Sequence, residues 1–175
     1  SDSLDFALLK LNNMPPAEYR PYYIGWNHSA TIPTSTQAVH HPKADVKKVC
    51  KDQNAPTIGS YSKDFKTNSF WIIGKWEIGT TEGGSSGCGL LNQNKELIGS
   101  LTGGTSVCGN AVNDLFAMFN KQWDTFKTSD KQLKIWLDPL NSGKEALTGL
   151  DPYPATTNCT QFTNEVAGES FNASR

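Results

Sequence analysis

The chain has 175 residues, of which 37% are hydrophobic and 19% charged, and its formal net charge is -1. That length and hydrophobic content suffice for one ordinary core. A near-neutral charge excludes the basic surface of a nucleic-acid-binding protein and gives no attraction to an anionic membrane. Abundant Gly, Ser, Thr and Asn beside few charges are typical of extracellular β proteins. We therefore expect a secreted, periplasmic or extracellular β domain without a nucleic-acid or membrane partner.

The spacing of cysteine and histidine bears on metal binding and on the redox compartment. The cysteines are Cys50, Cys88, Cys108 and Cys159. The histidines are His28, His40 and His41. Neither set has the close pairs typical of zinc ligands, so we expect no metal and no other cofactor. Disulfides formed in an oxidising compartment, or free buried thiols, are the two interpretations of the cysteines.

The first third of the chain is predicted to form short strands separated by turns. Residues 4–11 are an apolar run, predicted as a strand of a barrel wall, and the Asn- and Pro-rich residues 12–16 end it. Because the chain opens directly on this strand, we expect it to be a processed or excised part of a longer protein. Further strands are predicted at residues 22–26, 30–33 and 45–50.

Farther along, the pattern predicts a strand, a glycine-rich loop, a hairpin and one helix. A Trp-, Phe- and Ile-rich strand at residues 69–79 leads into the loop at residues 82–87, and residues 88–91 and 96–101 flank the hairpin turn. The helix is predicted after a Ser129 cap, with Leu133, Trp136 and Leu137 on its buried face, and Pro139 ends it. Short strands with frequent turns favour an all-β barrel or sandwich.

The Gly-Ser-Ser-Gly segment at residues 84–87 is the candidate for chemistry. Acyl transfer by a serine needs an exposed hydroxyl and backbone N–H groups aimed at one point, with small residues that let a substrate carbonyl approach. Clusters of Gly and Ser are also common in ordinary loops. The position of this cluster, between a predicted strand and a predicted hairpin, favours the chemical interpretation.

Several short segments match one protein family in order and separation, over about residues 4–151. They read L-D-F-A-L-L-K-L-N at 4–12, H-H-P at 40–42, T-E-G-G-S-S-G at 81–87, L-T-G-G at 101–104, W-L-D-P at 136–139 and G-L-D at 149–151. Together they resemble the lysyl endopeptidase group of bacterial trypsin-like serine proteases. The resemblance implies an all-β, chymotrypsin-like double β-barrel, here mainly the C-terminal barrel plus the Asp-bearing strand, with one C-terminal helix.

The resemblance also implies the catalytic residues. Ser86 is the implied nucleophile, and the backbone N–H groups of Gly84 and Ser86 form the implied oxyanion hole. Asp5 is implied as the acid that orients the catalytic histidine. Its apolar neighbours Leu4 and Phe6 favour a buried, partnered carboxylate, and the alternative is an aspartate in water at a strand edge.

Substrate-binding residues follow from the same resemblance. Thr102, Gly103 and Gly104 resemble the strand that pairs with an extended peptide substrate. Asp114 is the implied specificity carboxylate, which selects Lys or another basic side chain at P1, the residue before the cleaved bond. The alternative for Asp114 is a solvated turn aspartate. Thr102 stands where lysine-specific members have a histidine, so a choice between Lys and Arg stays open.

No histidine of this chain is a good candidate for the catalytic base. His40 and His41 lie in a segment that the family has outside its active site, and His28 lies in a predicted loop. The family places its catalytic histidine before the aspartate, so the resemblance puts it on an upstream portion of the protein, which becomes an expected partner. Cys108 resembles a cysteine bridged to that portion, and Cys88 is expected to be structural.

The predicted organisation is the C-terminal portion of a trypsin-like serine protease domain at residues 1–152, then a linker or the start of a further module at 153–175. The predicted function is a serine endopeptidase acting on proteins or peptides through an acyl-enzyme, with this fragment inactive alone. A catalytically inactive, protease-like peptide-binding domain is the first alternative. A carbohydrate-binding β-sandwich is the second, suggested by five tryptophans, although tryptophans are more often core residues.

Overall fold

Every second side chain is buried along the segment Thr36–His40, where Thr36, Ala38 and His40 face the core, as expected for a strand with one buried face. The computed structural model describes residues 3–153. Within that range the strands are β1 (Trp26–Asn27), β2 (Thr36–His40), β3 (Lys48–Asp52), β4 (Thr57–Gly59), β5 (Phe70–Lys75), β6 (Gly89–Leu91), β7 (Leu97–Gly104), β8 (Val112–Met118) and β9 (Ala146–Leu147). The α-helices are α1 (Phe119–Asp124) and α2 (Lys134–Leu137), and 3₁₀ turns occupy Ala17–Tyr19, Pro42–Ala44 and Ser129–Lys131.

The strands join into one mostly antiparallel sheet. Its order is β3-β2-β6-β7-β8-β5-β4, and β1 lies beside β7 and β9. The β1–β7 contact, with Trp26 opposite Leu97, is the parallel pairing among the described strands. The sheet curves into a half-barrel with few helices, which confirms the predicted all-β, chymotrypsin-like C-terminal barrel. Of the predicted linker or further module at residues 153–175, only Tyr153 is among the described residues.

Two apolar clusters form the core of the described part. The larger contains Ala38, Cys50, Trp71, Ile73, Trp76, Leu90, Ile98, Leu101, Phe116 and Met118. The smaller contains Trp26, Phe119, Trp123 and Leu133. Four of the five tryptophans are therefore buried. The indole N–H of Trp71, for example, donates to the carbonyl oxygen of Ile98 at 3.0 Å. This burial is that of core residues and removes the basis for the carbohydrate-binding alternative.

The predicted C-terminal helix is divided into the 3₁₀ turn Ser129–Lys131 and the single turn α2. Leu133 packs in the smaller core cluster and Leu137 packs against it, as predicted. Trp136 was predicted on the buried face but is 59% exposed, because one helical turn presents only a narrow stripe to the core. Its indole N–H instead donates to the carbonyl oxygen of Asp130 at 3.3 Å.

Residues 4–11 form no strand in the described structure, contrary to the prediction. A strand needs a hydrogen-bonded neighbour, and no described strand pairs with this segment. Leu4 is buried, whereas Leu8, Leu9 and Leu11 are exposed. The segment is attached through Asp5, whose carbonyl oxygen accepts hydrogen bonds from the Ser100 hydroxyl at 3.1 Å and from the Gln122 amide at 3.4 Å.

Most of the other predicted strands are found with shifted ends. Residues 69–79 contain β5, the hairpin consists of β6 and β7, and β3 begins three residues later than predicted, at Lys48. Residues 22–26 contribute only the start of β1, and Tyr23 forms an isolated bridge to Leu150. Residues 30–33 form no strand, and Pro33 lacks the N–H group that a ladder requires.

Candidate active site

The loop between β5 and β6 presents Ser86 to solvent while it buries Ser85. The Ser85 N–H donates to the carbonyl oxygen of Glu82 at 3.0 Å, which closes a tight turn. The Gly87 N–H donates to the carbonyl oxygen of Leu101 at 2.8 Å, which attaches the loop to β7. The sheet therefore supports a short turn with the Ser86 hydroxyl on its outer side. We call residues 82–87 the nucleophile loop, after the role that the sequence predicts for Ser86.

Two glycines are required by the shape of the nucleophile loop. Gly84 has φ +94° and Gly87 has φ +80°, a region that glycine enters without the strain other residues incur. A Cβ on Gly84 would also lie 3.2 Å from the backbone nitrogen of Lys43. The glycines predicted from the motif thus have a specific conformational role.

The backbone N–H groups of this loop divide into two sets. Those of Ser85 and Gly87 are used within the fold, as described above, and that of Glu82 donates to Ser85 Oγ. Those of Gly83, Gly84 and Ser86 donate to no acceptor among residues 3–153. Free N–H groups on alternate residues, beside an exposed hydroxyl, are the donors that an oxyanion hole requires.

Asp5 and Ser86 border the same cavity, which has a volume of about 830 Å³. Its walls are largely apolar and include Ile24, Trp26, Leu97, Leu101, Phe119, Leu133 and Leu137. Asp5 is exposed, so the predicted burial of its carboxylate is not observed. Its hydrogen bonds to Ser100 and Gln122 are accepted by its backbone carbonyl oxygen. The structure thus brings Asp5 to the site of Ser86 without enclosing it.

None of the three histidines is hydrogen-bonded to Ser86 in the described structure. His28 stacks on Trp123 with ring centroids 4.2 Å apart, and its Nε2–H donates to the Lys144 carbonyl oxygen at 3.1 Å. The His41 Nδ1–H donates to the carbonyl oxygen of Asp45 at 3.0 Å. The Nδ1 atom of His40 shares a hydrogen bond of 2.8 Å with the Oγ of Ser85, the neighbour of Ser86.

Asp114 is a core residue of β8, only 1% exposed, so its alternative interpretation as a solvated turn residue is wrong. Its Oδ2 accepts hydrogen bonds from Trp76 Nε1 and from Thr81 Oγ1, both at 2.5 Å. Its Oδ1 faces Gly104, the residue opposite in the β7–β8 ladder, where a Cβ would overlap it. One carboxylate oxygen is therefore fixed by two donors, and the other lies against a glycine of the predicted substrate strand. No sequence pattern identified Trp76 and Thr81 as its partners.

Thr102 is the extra residue of a β-bulge in the predicted substrate strand. Leu101 and Gly103 face successive residues of β8, so Thr102 has no opposite residue. The Thr102 Oγ1 is buried and has no hydrogen-bond partner in the described range. A Cβ on Gly103 would lie 2.7 Å from the hydroxyl oxygen of Tyr61. The glycines therefore let the side chains of Tyr61 and Asp114 pack directly against the backbone of β7.

None of the three described cysteines forms a disulfide within residues 3–153, and the interpretation as free buried thiols fits Cys50 and, in part, Cys88. Burial raises the pKa of Cys50 and that of Cys88 to about 12, so neither forms a thiolate near neutral pH. Cys88, two residues after Ser86, is therefore no second nucleophile. Cys108 is exposed, its bridge to an upstream cysteine stays a prediction, and Cys159 lies outside the described residues.

Residues 3–153 contain no group of three or more His, Cys, Asp or Glu side chains placed to hold a metal ion. None of their helices has the length and apolar character needed to cross a bilayer.

Comparison with known proteins identifies the family. Residues 1–119 match the family model described as lysyl endopeptidase, C-terminal domain. The lysyl endopeptidase of Pseudomonas aeruginosa is 35% identical to the chain over 124 residues, a match that covers 66% of this chain. The same match covers 26% of that relative, so the chain spans about a quarter of its length. The half-barrel and its nucleophile loop thus belong to the family of lysyl endopeptidase C-terminal domains, and the chain is related to these serine proteases.

Proposed function

We propose that this chain supplies the nucleophile and the specificity pocket of a secreted serine endopeptidase. The observation that carries the proposal is the nucleophile loop, in which Ser86 is exposed and the N–H groups of Gly84 and Ser86 are free among the described residues. When Ser86 Oγ attacks a peptide carbonyl, the carbonyl oxygen becomes negative, and these donors would stabilise it. Loss of one such donor typically lowers kcat by about 10²–10³-fold.

The general base is proposed to come from an upstream portion of the same protein. A histidine there would take the Ser86 proton during attack and return it to the leaving amine, which leaves an acyl-enzyme on Ser86. The same base would then activate a water molecule to release the product acid. Asp5 borders the cavity beside Ser86, where its carboxylate could orient that histidine.

Asp114 is proposed to select a basic P1 side chain. Its carboxylate is buried, and only one of its oxygens receives the hydrogen bonds of Trp76 and Thr81. A Lys or Arg side chain that approached along Gly104 would pair with the remaining charge, whereas an apolar side chain would leave it unpaired. A buried charge left without its partner costs about 3 kcal/mol, the loss typical when one member of a buried ion pair is removed. We propose that both Lys and Arg are accepted at P1.

A catalytically inactive peptide-binding domain is the second candidate. The observation that favours it is the lack of a histidine hydrogen-bonded to Ser86 within residues 3–153. Such a domain would keep the strand at Thr102–Gly104 and the Asp114 carboxylate to hold a basic peptide. It would form no acyl-enzyme.

The two candidates differ in their behaviour toward peptide amides that vary only at P1. We expect the full-length protein to cleave after Lys and Arg, and not after Leu or Glu. The 175-residue chain alone should show no turnover above background, because most of the catalysis of a triad is lost without its base. Tight binding of the Lys peptide by the full-length protein without cleavage would favour the inactive domain. Equal cleavage after Leu and Lys would contradict the role of Asp114.

A further inference from the structure

The turn between β2 and β3 packs against the nucleophile loop, although the sequence placed it outside the active site. His40, at the end of β2, is 3% exposed, and its Nδ1 lies 2.8 Å from Ser85 Oγ. The same Ser85 hydroxyl oxygen accepts a hydrogen bond from the Glu82 N–H at 3.2 Å. One buried hydroxyl therefore connects the imidazole to the residue where the nucleophile loop begins.

Backbone contacts hold the turn and the loop together. The Lys43 N–H donates to the carbonyl oxygen of Gly83 at 2.7 Å. On the surface, Lys43 Nζ lies 2.9 Å from Glu82 Oε1, which also accepts a hydrogen bond from the Cys108 N–H at 3.2 Å. The Lys43 side chain is 69% exposed, so this ion pair contributes little to stability. Of the side-chain contacts between the turn and the loop, the His40–Ser85 hydrogen bond is therefore the one that is buried from water.

The turn itself is strained. Lys43 has φ 50° and Ala44 has φ 58°, a left-handed conformation that costs a residue with a Cβ about 1 kcal/mol. Such strain persists where surrounding contacts fix the backbone. Two successive residues in this conformation, next to the predicted oxyanion hole, indicate that the contact with the loop sets the shape of the turn.

The His40 imidazole makes its polar contact through one nitrogen. Its Nε2 is buried and has no hydrogen-bond partner among the described residues. Burial lowers the pKa of His40, the carboxylate of Asp114 opposes this effect, and His41 adds to it. Burial therefore disfavours the protonated imidazole in the fold. A side chain with a polar atom at the Nδ1 position alone could replace its contact with Ser85.

We propose that His40 is a positioning residue for catalysis by Ser86. Through the Ser85 hydroxyl, it holds the nucleophile loop in the conformation that leaves the N–H groups of Gly84 and Ser86 free. His40 touches neither the substrate nor the Ser86 hydroxyl in this scheme. Its effect on turnover rests on the proposed function, whereas its effect on the loop does not.

Substituting His40 by asparagine or by glutamine distinguishes a positioning role from a role in core packing alone. In the full-length protein, His40→Asn keeps a polar atom near the Nδ1 position, whereas His40→Gln moves it toward Nε2 and His40→Leu removes it. We expect His40→Leu and His40→Gln to lower kcat for a Lys peptide by about 10²–10³-fold, the effect of a lost oxyanion donor, with KM within about threefold. His40→Asn should stay within about tenfold of the wild type. The control His41→Leu, at an exposed neighbour, should leave kcat unchanged.

Hydrogen exchange measured by mass spectrometry gives a readout that needs no turnover. Residues 82–87 of the full-length protein should exchange faster in His40→Leu than in the wild type or His40→Asn, because a loop that is no longer held in place would break the hydrogen bonds of the Ser85 and Gly87 amides more often. Ser85→Ala, which removes the other partner, should have the same effect, and combining it with His40→Leu should add little. If His40→Leu does not fold, Ser85→Ala and His40→Gln give the comparison with His40→Asn.

The outcomes that overturn the proposal are distinct from failure of the proposed function. Unchanged exchange at residues 82–87 in Ser85→Ala and His40→Gln would refute the positioning role, as would equal kcat losses in His40→Asn and His40→Gln. A loss confined to KM would refute it too. If even the wild type does not cleave peptides, the proposed function fails, and the exchange data alone decide whether His40 positions the loop.

Discussion

Replacing Ser86 by alanine in the full-length protein should lower kcat by about 10⁶-fold, the loss typical when a triad nucleophile is removed. The stability of the fold should change little, because Ser86 is exposed and forms no hydrogen bond within the described structure. Binding of a Lys peptide should persist, since the proposed P1 carboxylate and the substrate strand are unchanged. The measurement is kcat and KM for a Lys peptide amide, with thermal unfolding as the test of folding.

Ser85→Ala is the matched control for this substitution. It removes the same atom one residue earlier, where the hydroxyl is buried and contacts His40. We expect a smaller loss, about 10²–10³-fold, because the loop is displaced while the nucleophile remains. A Ser86→Ala protein within 100-fold of wild type, or a larger loss from Ser85→Ala, would contradict the assignment of Ser86.

Asp114→Asn should lower kcat/KM for Lys and Arg peptides by about 10²–10³-fold, the effect of an unpaired charge in a buried site. The asparagine carbonyl oxygen can occupy the place of Oδ2 and accept from Trp76 and Thr81, while the charge is lost and an NH2 group takes the place of Oδ1. The free energy of unfolding should therefore change by less than about 1 kcal/mol, since both hydrogen bonds remain. Steady-state kinetics over the P1 panel and denaturant unfolding measure the two quantities.

Asp114→Ala should instead destabilise the fold. The indole N–H of Trp76 and the hydroxyl of Thr81 would lose their acceptor inside the core, at about 1–3 kcal/mol for each buried group. Denaturant unfolding should show a loss of about 2–6 kcal/mol on the same scale. An asparagine variant that keeps its preference for basic peptides, or an alanine variant as stable as wild type, would contradict this account of Asp114.

Features of the fold that depend on neighbouring residues were predictable from the sequence. In the hairpin turn, Asn92 Oδ1 accepts hydrogen bonds from the N–H groups of Asn94 and Glu96, so the turn is specified within five residues. Helix α1 was missed even though Phe119 and Trp123 have the i, i+4 spacing of a buried face. It follows β8 without a break, and a six-residue helix offers little periodicity.

Features that depend on distant partners could not be predicted in this way. Residues 4–11 have the composition of a strand, but their state is decided by whether another strand lies beside them. The burial of Asp114 depends on Trp76 and Thr81, which are 38 and 33 residues away along the chain. The partner of His40 is 45 residues away, so the sequence motif located Ser86 without showing what supports its loop.

The most direct test of a nucleophilic Ser86 is covalent labelling of the full-length protein. A peptidyl diphenyl phosphonate with Lys at P1 reacts when a serine oxygen bonds to phosphorus and a phenol leaves, which requires an activated nucleophile and a free oxyanion site. Tandem mass spectrometry should find one adduct, on Ser86, that is absent from Ser86→Ala. A folded, processed protein that carries no adduct, or carries it on another residue, would contradict the serine endopeptidase account.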